Sequence, residues 1–362
     1  MLYPDFDDLI SYKQRKLDKM QLARRKVSAT APGNHHSPFR GQGLDFDAVR
    51  EYVPGDDIRN IDWRVTARTG APHLKIFKEE KERHTIICVD VNSTMRFGTR
   101  NTFKSIQAAR CASLLGWRAL AHQDRISACF FGDVPEGLHY FESKRTRQAL
   151  CRILKTLTEP PAEHHHVSIE TALQHISRVA HPGSLIYMIS DFMDLPSAFS
   201  KDFGLNLDSA VQDDKAMQDF DSESLLIRGD HSQKVKAPRI KGGSGSKDCV
   251  DLSSSTPEYR LNRLYKNCDV VFISINDAAD QALVPAGVIG FCGKNTEKLY
   301  LNTDSPKGRE IYSAQWESNR QTLHALTERF KIPLISLSTE SAIHRDLLLG
   351  LKSIAKGKKC LL

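Results

Sequence analysis

The chain has 362 residues, 40% of them hydrophobic and 26% charged, which is enough apolar content to bury a sizeable core. Its 51 basic against 44 acidic residues leave a net charge of +7, an excess spread along the chain that argues against nucleic acid as the main partner. The cysteines stand singly with no CxxC pair, no apolar run reaches the roughly 18 residues that span a bilayer, and the opening MLYPDFDDLI is acidic where a leader is basic. A cytoplasmic protein with reduced thiols is expected.

In chain order, residues 7–26 set Leu9, Ile10, Leu17, Met20 and Leu22 among many lysines and arginines. This pattern predicts an amphipathic helical arm over 1–30 that packs on the body, with nucleic-acid binding through its basic face as an alternative role. Residues 31–43, APGNHHSPFRGQG, read as loop and open a compact segment running to residue 83. Next come short apolar runs at 85–90, 125–131, 184–190, 270–275 and 332–337. They alternate with periodic runs at 102–122, 145–157, 169–180, 257–266 and 309–329. That alternation predicts the α/β class, a doubly wound, mostly parallel sheet with crossover helices. Residues 288–293 and 298–302, parted by a polar turn at Asn295, read as a small inserted hairpin ahead of the helix at 309–329.

Between 202 and 256 the composition turns acidic, then rich in Lys, Gly and Ser, with few large apolar residues to offset the entropy of ordering. It is read as a flexible insertion within one domain, whose parts at 84–201 and 257–362 fold together across it, because the strand at 270–275 is needed to complete the sheet.

The strand at 85–90 delivers Asp90, Asn92 and Thr94 into the loop at its C-terminal end, where ligands of open α/β sheets sit. Alternate oxygens in an extended loop face the same way and suit a hard cation such as Mg²⁺, to which Asp191, ending the strand SLIYMISD, would add a second carboxylate. The other reading is structural: Asp90 and Asp191 cap the helices or turns after their strands, and Asn92 and Thr94 complete loop hydrogen bonds. The segment REYVPGDDIRNIDWRVTAR combines a Pro-Gly turn, the acids Asp56, Asp57 and Asp62, the guanidinium groups of Arg50, Arg59, Arg64 and Arg68, and Trp63 as an apolar anchor. Either the acids and arginines satisfy one another and clamp the segment to the sheet, Asp62 and Arg59 foremost, or the segment is a docking surface with Trp63 and exposed arginines as hot spots.

The window from Gly41 to Arg83 is similar to the signature of the family called Domain of Unknown Function 58. The similarity rests on Gly41, Gly43, Phe46, Arg50, Tyr52, Pro54, Gly55, Asp56, Arg59, Asp62, Trp63, Ala67, Arg68 and Glu80. The chain beyond this window resembles a von Willebrand factor A-type domain. The resemblance implies that fold, decorated by an N-terminal signature segment. It also implies a partnership with a MoxR-type AAA+ ATPase and that ATPase's protein clients, and no catalytic activity. It further implies a magnesium site of the metal-ion-dependent adhesion type in degenerate form. Asp90, Asn92 and Thr94 stand on its first motif, with Asn and Thr replacing serines, and Asp191 on its last. Val167 lies where a Thr is required, leaving Ser168 or Thr171 as shifted substitutes.

His164, His165 and His166 read as a solvated loop. GGSGSK at Gly242 to Lys247 lacks Walker spacing, so the chain is not expected to hydrolyse ATP. The leading expectation is a non-enzymatic adaptor whose partner-binding residues are Arg50, Tyr52, Asp56, Asp57, Arg59, Asp62, Trp63 and Arg68. The alternative is a metal-dependent hydrolase in which Asp56, Asp57, Asp90 and Asp191 converge.

Overall fold

A computed structural model describes residues 3–14, 32–41, 45–81, 83–134, 138–159, 166–195, 257–292, 298–355 and 360–361. The central strand is β4 (His84–Asp90), whose run of Thr, Ile, Cys and Val is buried along its whole length. Its neighbours β5 (Arg125–Asp133) and β8 (Leu185–Ser190), and beyond them β9 (Asp269–Asn276), are buried almost throughout. Such continuous apolar strands belong to a sheet covered on both faces. Each fully buried Ile, Val or Leu there contributes about 1.5 to 3 kcal/mol of transfer free energy.

The strand order is β13-β12-β9-β8-β4-β5-β6, where β6 is His139–Lys144, β12 is Leu334–Ser338 and β13 is Cys360–Leu361. From β4 the chain builds outward to β5 and β6, then crosses to β8 on the other side and continues through β9 and β12. All these pairs are parallel except β5 with β6. The sheet is therefore mixed, mostly parallel and doubly wound, as predicted, and its direction of winding reverses between β4 and β8. A two-residue strand, β7 (His166–Val167), adds to the end of β5 antiparallel, pairing with Gly132 and Asp133.

Helices occupy the expected intervals: α3 (Lys104–Ala121), α4 (Arg147–Thr158), α5 (Ile169–Val179), α6 (Pro257–Asn267) and α8 (Pro306–Arg329), and a short α7 (Ala278–Gln281) lies outside them. A further helix, α9 (Ile343–Ala355), had not been anticipated; Leu347, Leu351 and Ile354 form its buried stripe. α3 packs with α4 and α9, while α5 packs with α6. The two flanks of residues 202–256 thus share one sheet, whereas the insertion itself lies outside the described residues. The expected hairpin is present as β10 (Val288–Cys292) paired with β11 (Lys298–Asn302).

The N-terminal region matches one expectation in its described part and corrects another. The described part of the arm is a short α1 (Phe6–Ser11), capped by Asp5, followed by a 3-10 turn (Tyr12–Gln14). It is a packing element: Leu9 is fully buried, and Arg110 holds Asp8 at 2.7 Å. Residues 15–31, which carry most of the basic face invoked for nucleic acid, lie outside the described residues. The stretch at 31–43 is not a loop, because it contains β1 (Pro32–Gly41) at the edge of a three-stranded antiparallel sheet, β1-β3-β2, with β2 at Asp45–Glu51 and β3 at His73–Lys81. Its register against β3 shifts twice, between Pro32 and His35 and between His36 and Arg40. An edge strand with bulges tolerates Pro and Gly that a central ladder would reject. No helix among the described residues is long and apolar enough to cross a membrane.

Candidate functional site

Because β4, β5, β8 and β9 run parallel, their C-terminal ends deliver a row of polar side chains to one rim. Asp90 and Asp191 sit together there, on the two strands that flank the reversal. Each closes the turn after its own strand: Asp90 Oδ1 accepts from the Asn92 amide at 2.9 Å, and Asp191 Oδ1 from the Met193 amide at 3.2 Å. Asp90 Oδ2 accepts from Ser190 Oγ at 2.6 Å, tying the two strand ends to each other. Burial, then the neighbouring Asp191 charge, push the Asp90 carboxyl up to about 8, against the pull of its Ser190 and Asn92 hydrogen bonds.

Asn92 turns inward, its oxygen capping a 3-10 turn (Ser93–Arg96) through the Ser93 amide at 2.8 Å and its Nδ2 donating to Asp194 at 3.0 Å. Thr94 Oγ1 is buried with no hydrogen-bond partner among the described residues. Ser168 caps α5 by accepting from the Thr171 amide at 3.3 Å, and its hydroxyl meets Thr171 Oγ1 at 3.1 Å. His166, expected in a solvated loop, instead belongs to β7 and stands between Asp133 (3.6 Å) and Asp194 (3.4 Å); His164 and His165 lie outside the described residues. Arg96 pairs with Asp133 at 2.6 Å.

Sequence reasoning missed the residue that organises this rim. Lys104, the first residue of α3, is 1% exposed, and its Nζ lies 2.9 Å from Asp191 Oδ2 and 3.1 and 3.2 Å from the two oxygens of Asp280. Burial disfavours the charge, but Asp191 and Asp280 outweigh it and hold the ammonium above its ordinary range. The Asp280 carboxyl, raised chiefly by burial, also completes a capping box with Asp277 beyond β9. A signal was available, since Lys104 is in helical phase with the buried Ala108 and Cys111.

The donors do not fit a divalent cation as they stand. The Asn92 oxygen and Ser168 hydroxyl are engaged in local caps, and an ammonium already occupies Asp191. Among the described residues no three His, Cys, Asp or Glu side chains are grouped to hold a metal ion. Of the five expected donors, Thr94 alone has its side-chain oxygen without a hydrogen-bond partner among the described residues.

The rim depends on one glycine. Gly132, at the end of β5 with φ +99°, faces the Asp90 turn so closely that a Cβ would lie 2.5 Å from the Asn92 amide nitrogen and 3.0 Å from Asp90 Oδ1. Gly132→Ala is therefore expected to cost about 2 to 3 kcal/mol through the left-handed backbone and the clash combined. Chemical denaturation measures this, and a loss under about 0.5 kcal/mol, the range of neutral substitutions, would contradict the close approach.

The second surface is the segment ahead of β3. Arg50 pairs with Asp56 at 2.6 Å, while Asp56 Oδ2 accepts from the Val53 amide and closes the Pro-Gly turn. Asp57 caps the 3-10 turn Ile58–Asn60, and Asp62 caps α2 (Trp63–Thr69), which ends on Gly70 in the left-handed region at φ +75°. The Tyr52 amide donates to Pro72 O, and Ile61 bridges to Leu74, so the backbone is fixed on β3. Asp56 and Asp57 thus serve local turns at this segment, apart from the tasks of Asp90 and Asp191 at the rim. The expected clamp is realised by Arg50, Asp56 and Asp62, but not by Arg59. Arg59, Arg64 and Arg68 are exposed and form no ion pair among the described residues. Trp63 is 67% exposed, Ile58 62% and Val53 55%.

Residues 48–208 match the family model described as "Protein of unknown function DUF58". Over 195 residues the chain is 26% identical to the uncharacterized proteins Mb1516 of Mycobacterium bovis and Rv1480 of Mycobacterium tuberculosis. The matched region is 53% of this chain and 61% of each relative, so the chain spans about three fifths of the length of the curated relatives it matches. Among solved structures, the conserved hypothetical protein BatB from Bacteroides thetaiotaomicron is similar with a TM-score of 0.38 and 9% identity, over 76% of this chain and 99% of that one. The pilus adhesin SpaC from Lactobacillus rhamnosus GG gives a TM-score of 0.37 and 9% identity, over 76% of this chain and 31% of that one.

Proposed function

We propose that this chain is a non-enzymatic, cytoplasmic adaptor with a von Willebrand factor A-like body, whose segment at 52–69 docks a protein partner. The observation that carries the reading is a large apolar side chain, Trp63, held mostly in solvent on a short helix capped at both ends. Its neighbours in sequence, Val53 and Ile58, are also exposed, and Arg59, Arg64 and Arg68 present guanidinium groups that form no ion pair among the described residues. Exposed aromatic and arginine residues on a rigid backbone are the composition of interface hot spots, and the positive rim calls for an acidic partner surface with an apolar socket. The partner in this reading is a MoxR-type AAA+ ATPase acting on client proteins, and the strand-end rim is a second recognition face. Nothing in the reading requires a metal.

The test is capture of a purified MoxR-type ATPase by the full chain. Trp63→Ala is expected to weaken binding by about 2 kcal/mol, roughly thirtyfold, while leaving stability within about 0.5 kcal/mol because the side chain is exposed. Unchanged capture by the folded variant would retire the docking role of Trp63.

A further inference from the structure

We infer that Lys104 is the built-in cation of the strand-end rim, occupying with its ammonium the place a divalent metal would take and leaving the rim closed to metal ions. The geometry carries this. An ammonium has three N–H donors and no acceptor, and Lys104 Nζ has three carboxylate oxygens within 2.9 to 3.2 Å, one from Asp191 and two from Asp280. Asp191 follows the end of β8 and Asp280 lies in α7, the short helix beyond β9, and α3 inserts the lysine between them. The Phe97 ring lies 5.7 Å from Nζ and covers it, and the side chain is 1% exposed, so a hydrated ion finds neither room nor an open carboxylate edge. Mg²⁺ holds several waters in near-octahedral geometry at about 2.0 to 2.1 Å and dehydrates reluctantly. To reach Asp191 it would have to shed them beside a buried positive charge. Most of the remaining expected set is also engaged, Asp90 by Ser190 and Asn92, the Asn92 oxygen by Ser93 and the Ser168 hydroxyl by Thr171, which leaves Thr94 Oγ1, a single neutral oxygen and no cation site by itself. The consequence is a recognition face whose charge is set by the chain itself and is indifferent to chelators, whatever docks at Trp63.

The experiment is titration of the full-length chain with Mn²⁺, followed by calorimetry and by loss of the free-ion electron paramagnetic resonance signal. Wild type is expected to show no saturable binding at millimolar Mn²⁺. Lys104→Met uncovers Asp191 and Asp280 and is expected to gain Mn²⁺ affinity by roughly a hundredfold or more, since it removes a unit charge a few ångströms from the ion. That gain should vanish when Asp191→Asn is added. Saturable Mn²⁺ binding by wild type that is abolished by Asp191→Asn or Asp90→Asn would overturn the inference, as would a folded Lys104→Met protein that stays metal-blind. If Lys104→Met does not fold, the wild-type titration and its Asp191→Asn control decide alone. Because the readout is metal binding, failure here leaves the Trp63 docking reading untouched, and failure of that docking leaves this inference untouched.

Discussion

Lys104→Met is expected to lower the unfolding free energy by about 3 to 5 kcal/mol, because removing one partner of a buried ion pair strands the other. The lysine is 1% exposed, and the Asp191 and Asp280 side chains are 2% and 6% exposed, so no solvent replaces the lost donors. The paired substitution Lys104→Met with Asp280→Asn removes one charge of each sign and should recover part of the loss; it serves as the check that charge, and not packing of the methylene stem, is responsible. Urea unfolding of the three proteins measures the effect. A single-variant loss below about 1 kcal/mol would place Lys104 among ordinary screened surface ions and remove the basis for its role at the rim.

The second large effect is a pH dependence. The Asp90 carboxyl is pushed up from 3.8 to about 8, first by burial and then by Asp191. The folded protein therefore holds a proton there that the unfolded chain releases above its own, lower pKa. The sign follows from proton linkage: the neutral carboxyl's contribution is intact below the unfolded value and is lost as the pH rises toward the folded one. Asp90→Asn mimics the neutral acid and retains an oxygen for the Asn92 amide. It should match wild type near pH 4 and become progressively more stable than wild type above that, by several kcal/mol at pH 9, at roughly 1.4 kcal/mol per unit of pKa difference. Stability curves for the two proteins that stay parallel from pH 4 to 9 would show that Asp90 ionises freely, and that Ser190 and Asn92 are mere neighbours.

The sheet was legible because its strands are short runs of Ile, Val, Cys and Phe bounded by polar residues. The helices between them carry apolar stripes, and no competing feature masks either pattern. The sheet β1-β3-β2 was hidden because β1 is an edge strand whose Pro, Gly and His residues are accommodated by bulges. β6 was missed for a related reason: as an antiparallel edge strand it buries no side chain fully, so HYFESK carries little hydrophobic signal. α9 was overlooked because the consecutive leucines of DLLLGL blur its helical stripe. At the site, Asp90 and Asp191 could be placed because parallel strands deliver their ends to one rim. Lys104 and Asp280 could not, because their meeting depends on how α3 and the turn beyond β9 pack, a contact 176 residues apart in sequence. Arg59, expected in the clamp, forms no ion pair among the described residues, because sequence shows which acids are near, not which ones the caps have already engaged.

The most direct test of the adaptor account is hydrogen exchange on the full chain with and without a saturating MoxR-type AAA+ ATPase in its nucleotide-bound form. The expected result is slowed exchange across residues 52–69, with the buried turn at 90–94 unchanged. No saturable complex, or protection confined to 90–94 and 190–194 with none around Trp63, would contradict it.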